Sequence, residues 1–216
     1  MHATHFVEKS TDPEAWRKHS RALRRSADVL WDDFVELVAR AVAIGKTKSV
    51  QPDFSAAIES IEIAKLLYGL ALETALKAWL IEKTPEKVEI RLTMKGDGSP
   101  TQAELKSFGL PSNQGHNIFG LAEAAGVFGK PFASVIKTDG DRAAVKNICR
   151  DLGEVVVWRG RYPVPMASFD SVPLDPKGPA TAIAHHLRDW LDPLLDALLT
   201  SPKSQQESQP HEPPAA

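Results

Sequence analysis

The sequence of 216 residues is long enough for one domain with terminal extensions, and its 43% hydrophobic and 25% charged residues are ordinary for a soluble globular protein. Its formal net charge of −2 excludes an overall basic field that would collect nucleic acid or an anionic membrane, so such binding requires a local basic patch. The single cysteine, Cys149, excludes a disulfide within the chain and suits a reducing compartment.

The sequence has no pattern of a membrane-targeted or secreted protein. No apolar run reaches the roughly 18 residues of a membrane-spanning helix. The first residues, MHATHFVEKSTDPEAW, lack the basic-then-apolar order of a secretory signal. We therefore predict a cytoplasmic protein that does not associate with membranes, with a flexible N-terminus over residues 1–10.

The first strong helical pattern follows this segment. Thr11 and Glu14 have the spacing of a capping box, and Pro13 suits the first turn of a helix. The helix is predicted to run to Gly45, a residue type that often ends helices. Apolar residues recur at helical intervals along its predicted inner face: Trp16, Leu23, Ala27, Leu30, Phe34, Leu37, Val38 and Ala41.

A second long helix is predicted from Ser55 to Glu82. It is apolar around much of its girth, which is typical of the central helix of a bundle. Glu73 and Lys77 are four residues apart in the favourable order, so they are predicted to form an exposed pair.

The pattern weakens between residues 84 and 115. The segment MKGDGSP has the composition of a loop. The segment TQAELKSFG is predicted to be a short helix opened by Thr101 and Glu104, and NQGHNIFGLAEAAG is predicted to be another helix that ends at Gly126.

A late helix is predicted in RAAVKNICRDLGEVVVW, capped by Asp139 or Asp141 and carrying Cys149 as a buried structural thiol. Its three consecutive valines favour a strand, but the two preceding turns keep a helical period. The last helix spans residues 180–199, and Pro193 is expected to kink it or make it restart.

These elements predict an all-α fold, an antiparallel bundle of four or five helices. The bundle is predicted to occupy residues 11–200 as one domain. Residues 201–216, rich in Ser, Gln, Glu and Pro, are predicted to be a disordered tail.

Three segments together resemble a known family. LLYGLALETALKAWLI (66–81) resembles the second long helix of HEPN (higher eukaryotes and prokaryotes nucleotide-binding) domains, GHNIFGLAEAAG (115–126) is similar to a helix start that follows it, and WRGRYP (158–163) is similar to the end of a late helix in bacterial members. The resemblance covers roughly residues 12–200. It implies an HEPN-like antiparallel helical bundle that commonly dimerises.

The resemblance also carries expectations about function. Many HEPN domains are metal-independent endoribonucleases in toxin–antitoxin, phage-defence and CRISPR systems, and the active ones carry an Arg followed by four to six residues and a His. No arginine of this chain has a histidine at that spacing. The resemblance therefore implies a non-catalytic or divergent homodimeric member that binds RNA, a nucleotide or another phosphate ligand, or a partner protein.

Within WRGRYP, two interpretations stay open. Arg159 and Arg161 offer forked donors to phosphate, and Trp158 and Tyr162 offer rings on which a base stacks. Alternatively, the two rings pack in the core and the two arginines pair with acids or cap carbonyls at the C-terminus of a helix.

His116 is the candidate base. At a helix start its imidazole prefers to be neutral, which would suit a base acting on a ribose 2′-hydroxyl. HEPN-like packing would bring it to Arg161 in a divergent ribonuclease site, composite across a dimer. The alternative is a histidine bonded to the backbone or to Asn117.

The segment RKHSRALRR places four arginines along one face of the first helix: Arg17, Arg21, Arg24 and Arg25. This face either follows a phosphate backbone or is a solvated surface whose arginines pair with Glu14, Asp28 or another helix.

No metal site or cofactor is predicted. His185 and His186 are adjacent and point about 100° apart on a helix, there is no pair of cysteines, and GKT at 45–47 lacks the rest of a phosphate-binding loop. A third possibility for the function is a plain helical protein-interaction module whose tail binds another protein.

Overall fold

The structure, a computed structural model, describes residues 3–111, 114–159 and 187–200 and is mostly helical with one two-stranded sheet. The predicted all-α class is thus correct for most of the described chain and misses a β-hairpin. The helices are α1 (Ala3–Thr11), α2 (Pro13–Lys48), α3 (Ser55–Lys83), α4 (Ile118–Ala124), α5 (Asp139–Glu154) and α6 (Leu187–Leu199), and the strands are β1 (Val88–Met94) and β2 (Pro100–Phe108).

The long helices α2 and α3 pack against each other in antiparallel orientation. Ser20 near the start of α2 donates from its hydroxyl to the carbonyl of Ala71 at 2.7 Å. Further along α2, the carbonyl of Leu30 accepts from the hydroxyl of Ser60 at 3.0 Å. Two serine hydroxyls inside helices thus tie the pair together where their backbones approach.

The start of α2 differs from the predicted capping box. Asp12 is the N-cap, and its carboxylate accepts from the backbone N–H of Glu14 at 2.9 Å. Thr11 instead ends α1, a helix in a segment predicted to be flexible, and its hydroxyl donates to the carbonyl of Val7. Two consecutive helices therefore meet at Asp12, where the sequence predicted the start of one helix only.

Gly45 lies inside α2 and does not end it, contrary to the prediction. The helix continues to Lys48, and Ser49 at φ 54° closes it by donating its backbone N–H to the carbonyl of Gly45. A Cβ on Gly45 would lie 2.7 Å from Cγ of Pro52, so the glycine makes room for the returning chain.

The segment predicted as a short helix is strand β2, paired antiparallel with β1. The pairing steps from Glu89–Ser107 to Ile90–Leu105 and from Thr93–Gln102 to Met94–Pro100, so Lys106 and Thr101 are extra residues on β2. These two bulges interrupt the alternation of apolar residues on β2. With the alternation interrupted, Thr101 and Glu104 have the spacing of a helix start, and this explains the wrong prediction.

Of the later helices, α5 lies where it was predicted, and α4 begins only at Ile118, within the predicted segment NQGHNIFGLAEAAG. The predicted last helix is described from Leu187 onward, while residues 180–186 and the predicted tail 201–216 lie outside the described residues. Thr138 caps α5 through a capping box with Asp141, where Asp139 or Asp141 was the expected cap. The backbone continues after α5 as a π-helical turn, Val155–Arg159, so the valines are helical. Pro193 lies inside α6 without ending it.

The core surrounds α3, whose second half is buried on every side. Large, fully buried side chains come mainly from α3, α4, α5 and α6, including Tyr68, Leu72, Leu76, Leu121, Leu152 and Leu194.

Among the helices in the described ranges, none combines the length and hydropathy needed to cross a bilayer.

Candidate functional site

A pocket of about 270 Å³ lies between the start of α2, the second half of α3, strand β2 and the turn before α4. Its lining brings together charged, aromatic and apolar side chains, among them Trp16, Lys77, Lys106, Phe108, His116 and Leu121. His116, the predicted candidate base, therefore lies in a concave site with two lysines and two aromatic rings.

The polar centre beside this pocket is a buried ion pair on α3. Nζ of Lys77 donates to a carboxylate oxygen of Glu73 at 2.6 Å, and the side chains are only 8% and 7% exposed. The predicted pairing is confirmed, but the predicted exposure of the pair is wrong. Spacing of four residues places two side chains on one face of a helix and does not say whether that face meets solvent.

The same carboxylate holds the ring of His116. Nδ1 of His116 lies 3.0 Å and 3.1 Å from the two carboxylate oxygens of Glu73. Because an ionised carboxylate can only accept hydrogen bonds, Nδ1 carries the proton and donates. In the neutral ring, Nε2 is then the acceptor, and it makes no hydrogen bond to any described residue. The side chain is 58% exposed.

Two aromatic rings form one wall of the pocket. Trp16 and Phe108 meet edge to face with ring centres 5.3 Å apart. The ammonium of Lys77 lies 5.0 Å from the centre of the Phe108 ring and 5.9 Å from that of Trp16. The indole N–H of Trp16 donates to the carbonyl of Ser10 in α1. These contacts hold both rings in place in the wall of the pocket.

The four arginines of the first helical face are not a uniform surface. Arg17 is buried and paired with Glu82 of α3, and its Nε has no partner among the described residues. Arg21 bonds to Glu14 and to the carbonyl of Leu199.

Arg24 bonds to Asp192 and Asp196 of α6. Arg17, Arg21 and Arg24, proposed from sequence as phosphate ligands, thus lie on α2 with their guanidinium groups already engaged by acids or a carbonyl. Arg25 lies on α2 and is exposed.

The predicted WRGRYP site lies at the limit of the described chain. The backbone of Trp158 and Arg159 belongs to the π-helical turn, while the side chains of both residues lie outside the described part. Arg161 and Tyr162 also lie outside the described residues. The predicted meeting of His116 and Arg161 therefore stays a prediction.

Cys149 is fully buried in α5, as predicted for a structural thiol. Burial raises the pKa of the thiol to about 12, so at neutral pH it is un-ionised and a poor nucleophile. Within the described ranges, no group of three or more His, Cys, Asp or Glu residues is placed to hold a metal ion.

Sequence patterns identify His116 but not its partners in the pocket. Lys106 and Phe108 belong to strand β2, which was predicted to be a helix because the two bulges interrupt its strand pattern. Glu73 bonds to His116 from a distant part of the chain, a contact that only the folded structure reveals. The alternation in VEIRLTM, residues 88–94, was the one available signal for the hairpin.

Comparisons with family models, with curated proteins and with solved structures give no match to this chain.

Proposed function

We propose that this protein binds a phosphate-bearing ligand, a nucleotide or a segment of RNA, in the pocket between α2, α3 and β2. The observation that carries the proposal is the combination in one pocket of two aromatic rings, the ammonium of Lys106 and an imidazole whose Nε2 is available. The resemblance of three segments to HEPN domains supports the same ligand class. It also leads us to propose a cytoplasmic homodimer acting in phage defence or a toxin–antitoxin system.

The chemistry of the pocket suits a nucleotide. A protonated His116 donates through both ring nitrogens, one to Glu73 and the other to a phosphate oxygen. Lys106, which pairs with the half-exposed Glu104, offers a second cation on β2. Trp16 is partly exposed and offers a surface for stacking a base, an interaction worth about 1–3 kcal/mol per base, whereas Phe108 is buried beside it.

The size of the pocket restricts which ligands fit in it. A volume of about 270 Å³ is close to the lower end, roughly 300 Å³, of small-molecule pockets. This volume suits one nucleotide, or one base of a single strand, better than a folded RNA or a protein segment.

Titration calorimetry with nucleoside monophosphates, inorganic phosphate and a short single-stranded RNA tests the proposal. We expect His116→Gln and Lys106→Gln each to weaken nucleotide binding about tenfold, because each removes a charge-assisted hydrogen bond worth about 1.5 kcal/mol or more. Lys130→Gln, which changes an exposed lysine outside the pocket, is the matched control and should bind as wild type. Wild-type protein that binds none of the probes, or pocket variants that bind equally well, would refute the proposal.

The contact between Glu73 and His116 favours a second candidate, a metal-independent ribonuclease. With Nδ1 held by the carboxylate, Nε2 of His116 is the nitrogen that would accept a proton from a ribose 2′-hydroxyl. Arg161 is the predicted partner at a composite site.

Incubation of structured and unstructured RNA in EDTA tests this second candidate. It requires cleavage by wild type and loss of cleavage in the double variant Arg161→Ala, His116→Ala. If wild type and the double variant leave equal amounts of RNA intact, the chain binds without cutting.

A further inference from the structure

We propose that strand β1 is an interface, on which a second copy of this chain adds its own β1 in antiparallel orientation. The two hairpins would then form a continuous four-stranded sheet in the order β2–β1–β1–β2. This interface goes beyond the proposed ligand binding, because it does not involve the pocket.

The hairpin has one apolar face that the bundle covers only in part. The pairing places apolar residues opposite each other in four steps, Val88–Phe108, Ile90–Leu105, Leu92–Ala103 and Met94–Pro100. At the base of the hairpin, Phe108 is buried, and Val88 and Leu105 pack against the core. Toward the tip, Leu92 and Met94 are 45% and 52% exposed.

The two edges of the hairpin differ. Helices α1 and α3 pack on β2, whereas the substantial contacts of β1 among the described elements are with β2. Both bulges are on β2, so β1 keeps a regular backbone through all seven of its residues. A regular edge strand presents a row of N–H and C=O groups ready to pair with another strand.

Charge and apolar pattern select a second copy as the occupant and fix one register. With the two-fold axis at Leu92, Ile90 of one copy lies opposite Met94 of the other, and Glu89 lies opposite Lys95. Both copies supply these pairs, so the interface has two apolar pairs, a central Leu92 pair and two opposite-charge pairs. Such cross-strand pairs contribute about 0.2–1 kcal/mol each.

The neighbouring registers are less favourable. An axis at Arg91 places the two Arg91 side chains opposite each other, and like charges in that position are destabilising. An axis at Ile90 carries Met94 past the end of the other strand to Glu86, in the turn Pro85–Lys87. The axis at Leu92 gives part-buried Ile90 and the two exposed residues Leu92 and Met94 apolar partners without placing like charges opposite each other.

Sedimentation velocity over a range of concentrations tests the interface. We expect wild type to be a dimer, and Leu92→Lys to raise the dissociation constant of the dimer at least tenfold. Val29→Lys is the matched control, since Val29 on α2 is 67% exposed and lies outside the hairpin, and it should leave the dimer intact. Glu89→Lys or Lys95→Glu alone should weaken the dimer, and the two changes together should restore it.

Disulfide trapping reports the register. Leu92→Cys should oxidise to a covalent dimer, because directly opposite strand residues have Cα atoms about 4.5–5.5 Å apart, within reach of a disulfide. Met94→Cys should not, because four residues of strand, about 14 Å, would separate the two thiols. The native thiol of Cys149 is buried and stays in both variants.

Three outcomes overturn the proposal. The first is a wild-type protein that stays monomeric at about 100 μM, a concentration well above the dissociation constant of an ordinary specific dimer. The second is a dimer that Leu92→Lys does not weaken and Leu92→Cys does not trap, which would place the interface on another surface. The third is capture by β1 of an extended peptide from another protein in preference to its own copy.

Discussion

The carboxylate of Glu73 lies where α3, the pocket and the turn before α4 meet. It accepts from Lys77 and from His116, and its side chain is 7% exposed. Removing one member of a buried ion pair leaves an uncompensated charge in the protein interior, which costs far more than removing a surface pair. The same carboxylate therefore supports both the stability of α3 and the orientation of the candidate base.

The substitution Lys77→Met tests this coupling. It leaves the buried Glu73 without its cation, and we expect it to lower the free energy of unfolding by about 3 kcal/mol in urea denaturation. Arg40→Met on α2 is the matched control, because Arg40 also pairs with a glutamate four residues earlier, Glu36, but both side chains are exposed. It should cost less than about 0.5 kcal/mol. Equal losses in both variants would contradict a buried ion pair.

Cys149 gives a prediction about pH. Burial raises the pKa of its thiol to about 12 from the ordinary 9.0, so in the range between these values the unfolded chain ionises the thiol and the folded chain does not. This group therefore contributes to a loss of stability as pH rises above about 9. Below that pH, a thiol-reactive dye should label the native protein no faster than it unfolds. Rapid labelling in native buffer at pH 8 would contradict the burial of Cys149.

Helices α3 and α5 cross closely at Gly69. A Cβ on Gly69 would lie 2.5 Å from Cγ2 of Val156 and 3.2 Å from the carbonyl oxygen of Leu152. Val156 is β-branched and fully buried, so its side chain has little freedom to move away. This glycine thus sets how near the π-helical turn after α5 comes to the central helix.

Two glycine-to-alanine substitutions should have opposite effects. Gly69→Ala should destabilise the protein by about 1–2 kcal/mol, because overpacking outweighs the gain in helix propensity. Gly153→Ala in α5 should stabilise it by about 0.5–1 kcal/mol, since the added Cβ would come no nearer than 3.9 Å to Ile118. Thermal unfolding measures the stability of both variants relative to wild type. A Gly69→Ala protein more stable than wild type would refute the close crossing.

Asp28 of α2 makes polar contacts with both α3 and α6. The hydroxyl of Tyr68 on α3 donates to Asp28 on α2 at 2.7 Å, and Arg188 of α6 lies 3.4 Å from the same carboxylate. Burial, followed by the hydrogen bond to Asp28, raises the pKa of Tyr68 well above its usual value. The phenol therefore stays un-ionised and keeps donating across the physiological range.

The long helices could be predicted from the regular period of their apolar residues. Contacts between residues far apart in the sequence could not be predicted in this way. The stripes on α2 and α3 persist over many turns, so their helical period is clear even though Gly45 suggests too early an end. The hairpin was not predicted, because the extra residues Thr101 and Lys106 break the alternation of apolar and polar residues on β2. For the site, local residue type singles out His116. Its partner Glu73 belongs to a part of the chain that no local pattern connects to it.

At the scale of the whole molecule, the described residues share a continuous apolar core that includes residues from every long helix and from β2. Because α3 is buried on all sides over its second half, its amides can reach solvent only when the surrounding helices separate. A single cooperative unfolding transition is the physical expectation for such an arrangement.

Native-state hydrogen exchange tests that expectation. The amides of Leu72, Ala75 and Leu76 should exchange at a free energy equal to that of global unfolding measured in urea. The exposed segment 95–99 at the tip of the hairpin should exchange much faster and serves as the internal control. Exchange of the α3 amides at a clearly lower free energy would indicate separately unfolding parts.

The guanidinium of Arg21 bonds at once to Glu14 in the first turn of α2 and to the carbonyl of Leu199 in the last turn of α6. Residues far apart along the chain are thus neighbours in space, spanned by a single side chain. A gene rearranged so that a short flexible linker joins these two turns, with new termini opened in the exposed segment 95–99, should therefore encode a circular permutant that lacks α1 and keeps the apolar core around α3.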